Sequence, residues 1–107
     1  MNMMDLKGKT ADELDRLSFE MSRRENMRAV WLISEFQKHF GKTVKVVKGR
    51  KVPKGTIGEC FWMGCTDYSK YGDPWGIYTR IRIGIRDQDG GVHWTALDNV
   101  ELVREAS

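Results

Sequence analysis

Ile77-Tyr78-Thr79-Arg80-Ile81-Arg82-Ile83-Gly84-Ile85-Arg86 is the stretch that decides how this chain is read. Ile77, Thr79, Ile81, Ile83 and Ile85 alternate with Tyr78, Arg80, Arg82, Gly84 and Arg86. A strand turns successive side chains to opposite faces, so the alternation predicts a half-buried strand with one apolar face and one aromatic, basic face. Asp87-Gln88-Asp89-Gly90-Gly91 follows as a hairpin loop, its glycines suited to positive φ, and leads into a strand from Val92 to Ala96. Upstream, Thr43 to Lys48 and Thr56 to Met63 are further β-rich runs, and Val100 to Val103 ends the set. Short strands separated by turn residues are the pattern of a small antiparallel barrel.

Ahead of Gly41 the spacing is helical. Thr10-Ala11-Asp12-Glu13 is a capping box, and neither Gly nor Pro occurs from Ala11 to Phe40, which predicts one long helix over 10–41 after a flexible leader at 1–9. Thirty residues of helix would be about 45 Å long, whereas a barrel of this size should be about 28 Å across. The apolar stripe also comes in two parts. Leu14, Leu17 and Met21 form the first; Met27, Val30, Trp31, Ile33, Phe36 and Phe40 form the second, with polar Ser22 to Asn26 between them. Either the helix breaks there or its first half packs on another chain, and the second possibility makes Leu14, Leu17 and Met21 a candidate homodimer surface.

Charge is unevenly distributed. Residues 1–41 hold seven basic and seven acidic side chains, while 42–107 hold eleven and eight, so the net +3 belongs to the C-terminal part. Its densest cluster is Lys42, Lys45, Lys48, Arg50, Lys51 and Lys54, with no acidic residue among them. A basic loop, a strand face with Tyr78, Arg80 and Arg82, and planar side chains nearby suit phosphate contact and base stacking. The candidate nucleic-acid-binding residues are therefore Lys45, Lys48, Arg50, Lys51, Lys54, Tyr78, Arg80 and Arg82, expected to form one patch. The same strand-face cations also serve simply to keep a surface soluble. The Gly-punctuated loop with Tyr68, Tyr71 and Trp75 supports an alternative, a protein-protein interaction module, since Trp and Tyr are favoured interface anchors.

Val44 to Trp62, with alternating Val44 and Val46, a basic glycine-holding loop, and Gly55 and Gly58 three apart, resembles a KOW motif. Leu97-Asp98-Asn99-Val100-Glu101-Leu102 is similar to the short helical turn and last strand of many SH3-like barrels. The loop from Gly49 to Gly55 is longer than the usual pattern, and Cys60 replaces a common aliphatic residue. The resemblance implies an α+β chain whose residues 42–107 form a five-stranded antiparallel SH3-like barrel, and contact with RNA, DNA or the transcription and translation machinery. It implies a regulatory or accessory role; fold alone does not fix function.

Other chemistries find little support. Cys60 and Cys65 lie too sparsely for a disulfide scaffold, and with His39 and His93 they make a poor ligand set, so free thiols, no metal and no cofactor are expected. No paired His and carboxylate, phosphate-cradling loop or nucleophile elbow points to an enzyme. The first residues lack the apolar run of a signal peptide and no span is long enough to cross a membrane, which predicts a cytoplasmic protein.

Overall fold

The computed structural model describes residues 2–66 and 80–103. The Thr10 hydroxyl oxygen accepts the Glu13 N–H at 3.1 Å, and the hydroxyl donates to the Glu13 carboxylate at 3.3 Å. That cap starts α1 (Ala11–Arg23) where the capping box places it. The single long helix is not what forms. The chain stops at Arg23 and restarts as α2 (Met27–His39), so two short helices replace one.

The break has a local cause. Glu25 takes a left-handed φ of 57°, the Asn26 N–H returns to the Met21 carbonyl at 2.9 Å, and the Asn26 side chain then accepts the Ala29 N–H at 3.2 Å. One polar linker both closes α1 and caps α2. The helices fold back on each other, with Gln37 donating to Asp15 at 3.0 Å across the pair. Leu14 is buried, and Leu17 and Met21 pack against the same core. The stripe read as a dimer surface is thus used within the chain, because the break lets α1 lie against its own protein. In α2 the buried side chains are Ala29, Leu32, Ile33 and Phe36, while Met27 and Trp31, expected inside, are exposed.

An L-residue in the left-handed region loses about 1–2 kcal/mol, part of which glycine recovers against its larger unfolded-state entropy. Glu25→Gly is therefore expected to stabilise the protein by about 1 kcal/mol. A urea midpoint that stays level or falls would contradict that account of the linker.

Residues 2–9, expected as a flexible leader, instead carry a 3₁₀ turn, η1 (Met3–Leu6), whose Met3 and Leu6 are 0% and 2% exposed. Apolar side chains at i and i+3 of a one-turn helix share a side, and here both enter the core.

Beyond Gly41 come β1 (Thr43–Val46), β2 (Ile57–Thr66), β3 (Arg80–Arg86), β4 (Val92–Ala96), a 3₁₀ turn η2 (Leu97–Asn99) and β5 (Val100–Leu102). They form one antiparallel sheet in the order β4-β3-β2-β1-β5. Val44, Val46, Cys60, Met63, Ile81, Ile83 and Ile85 bury its inner face against Leu32, Ile33 and Phe36 of α2. Where β1 stops pairing, η1 takes over the β2 edge, and the Met63 N–H meets Met4 Sδ at 3.4 Å. Asn99 ties the far end. Its carbonyl accepts the Val47 and Lys48 N–H groups, and its side chain satisfies the buried Thr95 hydroxyl at 2.9 Å.

Strand β2 contains one irregularity. Cys60 pairs with Ile85 and Trp62 with Gly84, so Phe61 and Trp62 together face one residue of β3 in a β-bulge.

Candidate nucleic-acid interface

The antiparallel register fixes the outer face of the sheet row by row. Gly64, Arg82 and Ala96 lie side by side; Trp62, Gly84 and Trp94 form the next row; Glu59, Arg86 and Val92 the next. The bulge adds Phe61 to the middle row. Trp94 meets Phe61 at 5.7 Å between centroids with 63° between planes, and Trp62 at 5.5 Å with 78°. Both are edge-to-face contacts, the geometry favoured by the ring quadrupoles. The Arg86 guanidinium carbon lies 4.5 Å from the centre of the Phe61 ring, within cation–π range.

Two glycines make room for these rings. A Cβ on Gly64 would overlap Trp62, and one on Gly84 would stand 2.7 Å from Trp94 and 3.0 Å from Phe61. Trp94 remains 48% exposed, and Phe61 and Trp62 are half-buried. Arg80, Arg82 and Arg86 are exposed along β3, and among the described residues neither Arg82 nor Arg86 is ion-paired.

Of the residues named from the sequence, Arg80 and Arg82 lie on this face. Lys45 is exposed on β1 between Ile57 and Glu101, and Lys48, Arg50, Lys51 and Lys54 are exposed on the loop between β1 and β2. That loop is held by Asn99 and by Val52, whose side chain enters the core. Tyr78, and Tyr68, Tyr71 and Trp75 of the alternative protein site, lie outside the described residues. Arg80 and Arg82 lie at the far end of β2 from the loop cations, while Arg86, on the same face, pairs with Glu59 near the loop end. The loop joins β2 at Ile57, whereas Arg82 and Arg80 pair with Gly64 and Thr66. Seven residues of strand separate those positions by about 23 Å, because successive hairpins connect at opposite ends of a sheet.

Sequence reasoning missed Phe61, Trp62, Trp94 and the contribution of Arg86. The alternation of Val92, Trp94 and Ala96 with His93 and Thr95 was a signal for Trp94. Consecutive residues of a regular strand point to opposite faces, and only the bulge puts Phe61 and Trp62 on one.

The hairpin loop beside the site is organised by Asp87. One carboxylate oxygen accepts the Asp89 and Gly91 N–H groups at 3.0 and 2.8 Å, and the other lies 2.8 Å from His93 Nε2. The His93 bond, and after it the Gly91 N–H, hold the Asp87 carboxyl below its usual range. A folded-state pKa lowered in this way gives stability that is present above the unfolded value and lost as the pH falls through the folded one. Stability is therefore expected to drop below about pH 4, and Asp87→Asn should reduce that drop while lowering stability at neutral pH. Urea titrations across pH 2–7 measure both; equal acid losses in the two proteins would contradict this role.

Cys60 is fully buried, and desolvation pushes its thiol up to about 11, so it behaves as a small apolar core residue. Cys65 receives the Arg28 guanidinium at 3.6 Å. Among the described residues no three His, Cys, Asp or Glu side chains gather to hold a metal ion, and no helix is long and apolar enough to cross a membrane.

No protein-family model, curated protein or solved structure matches this chain. The outer face must therefore be interpreted from its own chemistry.

Proposed function

We propose that the sheet is an SH3-like, KOW-resembling barrel and that the chain is a non-enzymatic, cytoplasmic regulatory or accessory protein that binds nucleic acid through its outer face. The barrel reading is supported by the strand order and by η2. β4 and β5 are the two edges of the sheet, yet three residues join them. Four Cα steps reach about 14 Å at most, less than the roughly 19 Å width of five flat strands. A curled sheet brings such edges together.

The observation that carries the binding reading is the aromatic row of Phe61, Trp62 and Trp94 set between Arg82 and Arg86. Phosphates supply the partner for exposed guanidinium groups, and bases supply the partner for exposed rings. With Arg80, Arg82 and Arg86 engaged, about three phosphates are neutralised, which predicts a log–log salt slope of about −2 to −3. Arg80→Glu with Arg82→Glu should weaken binding by about tenfold or more without loss of fold, since both side chains are exposed. Fluorescence anisotropy with RNA and DNA probes across a salt series tests it. Wild-type affinity in the double reversal would reject the site. The helical pair exposes Phe19, Met27 and Trp31, so a chain that binds no nucleic acid at low salt would be better explained as a protein-binding module.

A further inference from the structure

We infer that the outer face takes an unpaired RNA or DNA strand in preference to a duplex; this rests on the nucleic-acid reading above and specifies its ligand. In a duplex the base faces are already stacked, and what approaches a sheet surface is sugar and phosphate. Such a partner would satisfy the arginines but leave three aromatic rings against polar backbone. An unpaired strand offers a π face with each phosphate, which matches the mixture present here.

The geometry of the rings agrees. Trp94 meets Phe61 and Trp62 edge to face and is not stacked in parallel on either, and Arg86 lies over one face of Phe61, so Trp94 and Trp62 are the principal stacking surfaces. Arg82 and Arg86 lie on either side of Gly84 on the same face of β3, about 13 Å apart along the strand, and bracket the aromatic row. The loop between β1 and β2 joins the sheet at Ile57, two residues from Glu59, the partner of Arg86, so its cations lie beyond the Arg86 end of the aromatic row and at the opposite end of β2 from Arg82. Few phosphates and two principal stacking surfaces describe a site that depends more on bases than on charge.

The test uses the full chain with labelled oligo(dT), oligo(U) and a hairpin duplex, each of about twelve nucleotides per strand. Either unpaired probe should bind about tenfold or more tighter than the duplex, with a salt slope near −2. The two unpaired arms separate DNA from RNA, and preference for either over duplex supports the inference. Trp94→Leu keeps an apolar side chain over Gly84 but has no π face, and should weaken unpaired-strand binding about tenfold, while Trp94→Phe stays within about threefold of wild type. Trp62→Leu provides a second substitution of the same kind, and circular dichroism reports the fold of each. Alanine at Lys48, Arg50, Lys51 and Lys54 together should change that affinity less than about threefold. Duplex binding equal to or tighter than unpaired strand, or wild-type affinity in folded leucine variants, would overturn the inference. If Arg80→Glu with Arg82→Glu still abolished duplex binding, the nucleic-acid reading would survive that failure. No binding to any probe would overturn both.

Discussion

Replacing Met3 and Leu6 together with alanine should lower the unfolding free energy by about 4–6 kcal/mol, enough to leave the chain close to unfolding at room temperature. Both side chains are enclosed, and each truncation removes apolar contact while leaving a cavity. They belong to one 3₁₀ turn, so the pair should act jointly and not as independent sites. The loss reaches the sheet as well, since η1 covers the β2 edge and places Met4 Sδ at the Met63 N–H. Urea denaturation followed by far-ultraviolet circular dichroism gives the measurement. A shift under about 1 kcal/mol would be typical of an exposed leader, and would mean that η1 does not pack as described.

The second large effect is expected from a single added methyl group. Gly58→Ala should cost about 3 kcal/mol, at the upper end for overpacking. A Cβ there runs into the Arg86 carbonyl oxygen, and stands 2.7 Å from both the Arg86 carbonyl carbon and Ile85 Cγ2. Side-chain ends can swing away from an intruder; a backbone carbonyl held in a sheet cannot. Gly55→Ala is the control. That glycine has φ +93° but nothing within 4 Å of a Cβ, so its substitution should cost only the conformational strain, about 1–2 kcal/mol. Equal effects at the two positions would show that steric overlap with β3 is not what requires Gly58.

The sequence could be read where a feature repeats at short range. Ile81, Ile83 and Ile85 are buried while Arg80, Arg82 and Arg86 are exposed, as a period of two demands. The capping box marked the start of α1 within a residue, because the cap is made by groups three positions apart. The end of α1 was harder to see: no Gly or Pro stands in Ser22 to Asn26, and Glu25 adopts the left-handed turn that glycine usually supplies. Met3 and Leu6 gave too short a pattern to distinguish a packed turn from a loose end. The candidate site was legible only in part, in Arg80 and Arg82. Whether the basic loop could join them depended on the register between β2 and β3, which no local pattern encodes. The aromatic row needed that register and the bulge together.

The bulge at Phe61 also determines how this surface can change by descent. Strict alternation through β2 would put Trp62 on the same side as Cys60 and send Met63 outward. With Phe61 as the extra residue, Cys60 and Met63 both remain in the core. Removing Phe61 restores ordinary alternation and leaves Cys60, Trp62 and Met63 on their present sides. Loss of one codon there subtracts an aromatic ring from the surface without reversing the strand, and gain of one codon adds it back. The number of rings on this face is thus open to insertion and deletion as well as to substitution, an evolutionary route that most positions in a paired strand do not have.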